Sequence, residues 1–181
     1  MPLISKPPIS KRLFFALWPD AGAARQLHEI GRELQAICGG RLMSRETLHV
    51  TLAFLGQVPV ERIPELEAIA EAVRAEVFDL HLDRLGYWSH NHILWAGCMA
   101  PSAALVALEE GLQMRLREAG FALEDRPFAL HMTLLRKAQC ESPVPLARVI
   151  SWRADEMLLV ESVPGGATRY VPISRWNLRL S

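Results

Sequence analysis

Short apolar runs alternate along the chain with segments of helical periodicity. The run at 12–18 (RLFFALW) ends at Pro19-Asp20 and is typical of a buried strand. Apolar residues from Ala24 to Ile37 then recur at helical spacing, which predicts a helix capped by Asp20 and stopped by the glycines at 39 and 40. The same criteria predict helices from Pro64 to Val73 and from 101 to 120, and strands at 47–55, 79–88, 92–99, 128–135, 156–163 and 169–173.

Two of the predicted strands carry the same polar pair in an apolar setting. LHVTL at 48–52 reappears as LHMTL at 130–134, so His49 and Thr51 correspond to His131 and Thr133. Since side chains alternate along a strand, each His and Thr share one face, and Phe54 is expected on the opposite, buried face. A polar pair in an apolar strand is costly unless it is hydrogen-bonded or lines a wet cleft. The repeat therefore predicts one cleft lined by both strands.

The order strand, helix, motif strand occurs twice, which indicates an internal duplication. We expect an α+β fold with two pseudo-symmetric lobes, each a mainly antiparallel sheet backed by helices, and a central cleft. The length fits a single bilobal domain over 1–181, with residues 1–11 as a loose N-terminal lead-in.

Charge composition limits the mode of substrate binding. Twenty basic and twenty acidic residues cancel, and no long basic run predicts a protein that follows a nucleic-acid backbone. A nucleic-acid substrate is therefore expected to be held at one small spot, such as a terminus. By itself the neutral balance favours an ordinary cytosolic protein.

The cysteines and the hydropathy pattern predict a cytoplasmic location. Cys38, Cys98 and Cys140 are widely spaced and form no CxxC pair, so we expect free thiols in a reducing compartment. No apolar run approaches the roughly 20 residues needed to cross a bilayer, so no membrane partner is expected.

Two histidines facing one cleft make an acid–base pair. A single histidine on an apolar strand is usually a satisfied core residue, but packing gives no reason to repeat both His and Thr. An imidazole titrates near pH ~6.5, so one ring can donate a proton while the other accepts one. Such a pair suits phosphodiester transfer without a metal, with the Thr51 and Thr133 hydroxyls donating to phosphate oxygens.

Other chemistries find less support in the sequence. Zinc sites need three or four ligands, and no His, Cys, Asp or Glu joins either motif at ligand spacing, so no metal and no cofactor are expected. There is no G-x-S-x-G motif, glycine-rich phosphate loop or dinucleotide fingerprint.

The paired motifs and their flanks resemble the two-histidine phosphoesterase superfamily. Within it, the chain is similar to the bacterial RNA 2′,3′-cyclic phosphodiesterases, also called 2′-5′ RNA ligases. The similarity covers nearly the whole chain and includes RLFFAL (12–17), LHVTLAFLG (48–56), ILWAG (93–97), RPFALHMTLLRKA (126–138) and TRYVPISRW (168–176).

This resemblance implies metal-independent hydrolysis of RNA 2′,3′-cyclic phosphate ends to 2′-phosphates. It makes His49 the acid that releases the 3′ oxygen and His131 the base that activates water. It also makes Arg136 a phosphate-binding residue, although simple alternation puts Arg136 on the face away from His131, so the strand must end or bulge there for that role. Leu130 departs from the proline that is common in the family, without disturbing the strand.

Several alternatives remain open at this point. The same residues could join a 2′,3′-cyclic end to a 5′-hydroxyl as a 2′-5′ RNA ligase, or act on a small cyclic nucleotide or a 2′-5′ linked oligonucleotide. A non-catalytic module that binds RNA ends or nucleotides is the alternative from another class. The expected partner is RNA with a 2′,3′-cyclic phosphate end, including tRNA fragments, or a nucleotide, bound by a monomer.

Overall fold

The fold is built from antiparallel strands and a few helices. The computed structural model describes residues 9–125, 127–141, 145–165 and 169–179. In chain order the elements are β1 (Ser10–Leu17), α1 (Ala21–Cys38), β2 (Arg41–Leu42), β3 (Val50–Pro59), α2 (Ile63–Ala72), β4 (Phe78–Leu82), β5 (Arg84–Trp88), β6 (Ile93–Gly97), α3 (Ala103–Glu118), β7 (His131–Arg136), β8 (Ile150–Ala154), β9 (Glu156–Val163) and β10 (Arg169–Asn177). Short 3-10 turns lie at Arg45–Thr47 and Val60–Arg62.

Two four-stranded sheets form the two lobes. One has the strand order β10-β9-β1-β3 and the other β2-β7-β6-β5, while β4 and β8 form a separate pair. All of these pairings are antiparallel. Each motif strand pairs with the first strand of its own half of the chain, β3 with β1 and β7 with β6. The predicted α+β fold with two related lobes is confirmed.

The helices α1 and α3 begin where the sequence predicts, because side chains cap them. The Asp20 carboxylate accepts a hydrogen bond from the Ala23 N–H at 2.7 Å, and α1 ends at Gly39. The Ser102 hydroxyl accepts from the Leu105 N–H at 3.2 Å in the same way. Each cap satisfies a backbone donor that the first turn leaves without a partner.

The hydrophobic core is continuous between the lobes. One cluster of buried side chains contains Leu13 and Leu52 from the first sheet and Leu94 and Leu134 from the second. A second, smaller cluster covers the other face of the first sheet and consists of Phe14, Ala16, Leu158 and Val160, with Trp18, Phe54 and Tyr170 packed against it. We call it the cleft-side cluster, because its rings contact His49.

Some predicted boundaries were wrong. Of the expected loose lead-in at 1–11, residues 1–8 lie outside the described residues, and Ser10 and Lys11 already belong to β1. The segment 79–88 contains two strands, β4 and β5, which pair with different partners. The strands β2 and β8 were not predicted, and β2 has only two residues, which are too few for a periodic signal.

The prediction of three free thiols was wrong for two of them. Cys38 and Cys140 form a disulfide although 102 positions separate them, with their Cα atoms 4.8 Å apart. The end of α1 lies beside the segment after β7, where the Gln139 N–H donates to the Cys38 carbonyl at 2.8 Å. Cys98 is a free, buried thiol. Spacing along the chain could not reveal this proximity. No helix within the described ranges is long and apolar enough to cross a membrane.

Candidate active site

Both motifs line one small central cavity. Its volume is about 80 Å³, and its lining includes His49, Thr51, His131, Thr133 and Arg136. All five predicted site residues therefore lie together, although the two motifs come from different sheets. Because β3 belongs to one sheet and β7 to the other, a cavity lined by both strands lies where the lobes meet.

The two imidazole rings are held by equivalent hydrogen bonds. His49 Nδ1 lies 2.8 Å from the Thr47 carbonyl oxygen, and His131 Nδ1 lies 2.8 Å from the Ala129 carbonyl oxygen. A carbonyl oxygen only accepts, so the hydrogen sits on Nδ1 in both rings. In the neutral form Nε2 then carries the lone pair, which is the arrangement that a proton-transferring histidine needs.

Three aromatic rings of the cleft-side cluster surround His49. Its ring centroid lies 5.0 Å from that of Phe14 and 4.9 Å from those of Trp18 and Tyr170. Burial lowers the pKa of His49 from 6.5 to about 4, although the hydrogen bond to Thr47 opposes the shift. The positive charges of His131 and Arg136 contribute to this lowering of the pKa. His49 is therefore a neutral ring at pH 7 in the free protein.

The second histidine has a different surrounding. Trp88 meets His131 edge to face, with the ring centroids 4.7 Å apart. Trp88 packs in turn against Trp95 at 5.3 Å. Among the described residues, Phe14, Trp18 and Tyr170 thus lie beside His49, whereas Trp88 lies beside His131.

A β-bulge follows the His-x-Thr pair in each motif strand. In β3, Ala53 and Thr51 pair with consecutive residues of β1, so Leu52 is an extra residue. In β7, Leu135 and Thr133 pair with consecutive residues of β6, so Leu134 is the extra residue. An extra residue reverses the faces of the side chains after it.

The bulges turn Phe54 and Arg136 toward the cleft. Both residues are partly exposed, whereas the two residues before each are buried. Of the two possibilities for Arg136, a strand end or a bulge, the structure has the bulge. The expectation that Phe54 lies on the buried face was wrong, because simple alternation does not hold across an extra residue.

A larger cavity of about 350 Å³ adjoins the central one. It shares Thr51, His131 and Arg136 with the central cavity, and Phe54, Trp88 and Phe128 also line it. A cavity with aromatic walls beside a cluster of hydroxyl, imidazole and guanidinium groups has the character of a nucleoside site.

Sequence reasoning missed the aromatic residues of the site. Trp18, Phe54, Trp88 and Tyr170 are scattered in sequence and look like core residues. For Phe54 a signal was available, since Phe54 follows Thr51 by the same spacing as Arg136 follows Thr133. Among the described residues, no group of three or more His, Cys, Asp or Glu is placed to hold a metal ion.

Comparisons with known proteins show which family the chain resembles. The family model LigT like Phosphoesterase matches residues 17–95. The chain is 33% identical over 171 residues to the RNA 2′,3′-cyclic phosphodiesterase of Escherichia coli, which covers 93% of this chain and 97% of that relative. It superposes on a crystal structure of E. coli LigT complexed with 3′-AMP with a TM-score of 0.87 at 33% identity, covering 94% of this chain and 99% of that one. TT0787 of Thermus thermophilus superposes with a TM-score of 0.82 at 26% identity over 93% of this chain and 98% of that one.

Proposed function

The chain belongs to the LigT-like phosphoesterases, and on that premise we propose that it hydrolyses 2′,3′-cyclic phosphates at RNA ends to 2′-phosphates. The observation that carries the proposal is the convergence of His49 and His131, each held through Nδ1 by a backbone carbonyl, in one cavity. Relatives named RNA 2′,3′-cyclic phosphodiesterase support the substrate class.

The reaction needs one proton donor and one acceptor on opposite sides of the phosphorus. In the proposed step, His131 Nε2 takes a proton from water, and the water oxygen attacks phosphorus. The bond from phosphorus to the 3′ oxygen breaks, and His49 Nε2 gives its proton to that oxygen. The product is a 2′-phosphate beside a 3′-hydroxyl, and the two histidines have exchanged their protonation states.

The low pKa of His49 does not conflict with its role as the acid. A phosphate bound in the central cavity adds negative charge beside the ring, which favours the imidazolium and raises the pKa again. His49 then takes up its proton when the substrate binds. Because the two rings influence each other, the pH dependence of turnover reports the pair rather than either ring.

Thr51, Thr133 and Arg136 are proposed to bind the reacting phosphate. Hydroxyl donors and a guanidinium stabilise the charge that develops on the non-bridging oxygens. The nucleoside of the terminal nucleotide is proposed to lie in the adjoining cavity, against the rings of Phe54 and Trp88. No step in this scheme uses a metal or a cofactor.

The functional proposal also covers the domain organisation, the partners and the location of the protein. We infer that 1–181 act as one bilobal domain, which the continuous core supports. RNA ends, including those of tRNA fragments, are the proposed partners of a monomeric cytoplasmic enzyme. Joining a cyclic end to a 5′-hydroxyl uses the same residues and differs only in the attacking group.

One incubation tests the reaction. The protein is mixed with excess chelator and an RNA that ends in a 2′,3′-cyclic phosphate, and the end group formed is identified. A 2′-phosphate is expected. A 3′-phosphate would reverse the orientation of the substrate, and no product would favour a binding module. Adding a 5′-hydroxyl RNA and searching for a 2′-5′ junction tests the joining reaction.

A further inference from the structure

A second cavity adjoins the central one on the side lined by Tyr170. Its volume is about 400 Å³, and it shares Thr47 and Arg136 with the central cavity. Its polar lining includes three arginines and three further hydroxyl groups, from Arg12, Arg41, Arg136, Ser44, Ser162 and Tyr170. We call it the arginine cavity. The functional proposal above makes no use of Arg41 or of the hydroxyl groups here.

Strand pairing brings two of the arginines together. Arg41 of β2 lies directly opposite Arg136 of β7 in the antiparallel register, so their side chains leave the same face of the sheet. The backbone just before β2 packs closely against β7, because a Cβ on Gly40 (φ +87°) would lie 2.7 Å from the Arg136 carbonyl oxygen. Like charges directly opposite each other on neighbouring strands are destabilising. An anion between the two guanidinium groups would remove that cost.

The positive charge of the arginine cavity is uncompensated within the described residues. No carboxylate is part of its lining, and none of the three arginines forms an ion pair with Asp or Glu in that part of the chain. Glu161, nearby on β9, is paired with Lys11 at 2.7 Å. Since the whole chain has a formal net charge of zero, this concentration of arginines is local. It is the arrangement that binds phosphate oxygens.

We propose that the arginine cavity binds a second phosphate of the substrate, the phosphodiester that joins the terminal nucleotide to the one before it. The proposal rests on the proposed function, which puts the reacting phosphate in the central cavity and the base on the aromatic side. Arg136 then lies between the two phosphates, and Arg41 contacts only the second. This cavity would make the enzyme prefer RNA ends to cyclic mononucleotides.

The first test compares substrates that differ only in the second phosphate. These are adenosine 2′,3′-cyclic phosphate, the same compound with a 5′-phosphate, and a short RNA with the cyclic end. Replacing Arg41 by Gln (Arg41→Gln) is expected to lower kcat/KM about tenfold for the two substrates that carry a second phosphate, as for a lost charged hydrogen bond. Hydrolysis of adenosine 2′,3′-cyclic phosphate should change less than about twofold. Arg32→Gln, at an exposed arginine of α1, is the matched control and should leave all three unchanged.

A binding measurement separates this proposal from the proposed function. Calorimetry compares adenosine 2′-phosphate with adenosine 2′,5′-bisphosphate and needs no turnover. The bisphosphate is expected to bind the wild type about tenfold more tightly, and Arg41→Gln should abolish that difference. A protein that binds both ligands in this way but hydrolyses nothing would refute the proposed function and keep the phosphate site.

Two results would overturn the proposal. An equal loss on all three substrates would mean that Arg41 acts on the reacting phosphate or on the fold. If Arg41→Gln lowered only the joining of a cyclic end to a 5′-hydroxyl RNA, the cavity would instead bind a phosphate of the RNA that carries the 5′-hydroxyl.

Discussion

The imidazole of His49 lies against the indole of Trp18, with ring centroids 4.9 Å apart and planes 21° from parallel. The indole N–H donates to the Glu46 carbonyl at 3.0 Å, which holds the indole in place. The ring plane of His49 is thus set by Trp18, and its rotation by the hydrogen bond to Thr47. Trp18 is therefore a positioning residue in the proposed mechanism.

Trp18→Leu tests this relationship. Loss of the stacked ring is expected to lower kcat about tenfold with little change in KM, because a misoriented acid affects the transition state more than binding. Water reaching the ring should also raise the pKa of His49 toward 6.5, as measured by NMR titration. Trp18→Phe should restore most of both properties. An unchanged pKa together with normal turnover would show that the stacking has no role.

The two histidines are expected to be essential for turnover and dispensable for folding. His49→Ala and His131→Ala should each lower kcat by at least ~10²-fold, the usual scale for acid–base groups. Circular dichroism should show a folded protein. His81→Ala serves as the control, because His81 is exposed on β4 and bonds only Ser151 among the described residues. Near-normal turnover in either site variant would contradict the assignment.

A substrate with sulfur at the 3′ bridging position distinguishes the acid from the base. A thiolate leaves without protonation, so the variant that lacks the acid should recover activity on this substrate. We expect His49→Ala to recover about 10²-fold relative to its activity on the oxygen substrate, and His131→Ala to remain inactive. Recovery of His131→Ala instead would exchange the two roles.

Stability should depend on pH through His49. The folded protein keeps this ring neutral down to about pH 4, whereas an unfolded histidine takes up a proton below about pH 6.5. The unfolded state therefore binds more protons in that window, and the free energy of unfolding falls as pH falls, by up to about 3 kcal/mol. Urea unfolding at pH 7 and pH 4.5 should show a smaller loss for His49→Gln than for the wild type. Equal losses would contradict the low pKa.

The Cys38–Cys140 disulfide should stabilise the chain by closing a long loop. Because 102 positions separate the cysteines, reduction is expected to lower the free energy of unfolding by about 2–4 kcal/mol. Cys140→Ser should have the same effect and should make the protein insensitive to reductant. Urea unfolding with and without a phosphine reductant measures both, and the mass after alkylation reports the free thiols. Equal stability of the reduced and oxidised wild type would refute the prediction.

The alternation of side chains predicted the residues of the cleft face only for the part of each motif strand that precedes its bulge. His49 and Thr51, and likewise His131 and Thr133, are two positions apart, and simple alternation places each pair together. Beyond the bulge at Leu134, the same alternation sends Arg136 to the wrong face, and only the resemblance to a family pointed to its role. Phe54 had no such support, and its position was predicted incorrectly.

The sequence by itself determined the helices, most of the strands and the repeated polar pair of the site. Caps such as Asp20 and Ser102 and the repeated His-x-Thr pair are local signals, and local backbone geometry turns them into helices and a two-histidine face. Tertiary structure decided the rest: the bulges that expose Phe54 and Arg136, the pairing of Arg41 with Arg136, and the disulfide between Cys38 and Cys140. These features depend on strand register and on contacts between distant segments. A one-residue change in pairing reverses a face, and no periodicity along the chain records which segments meet.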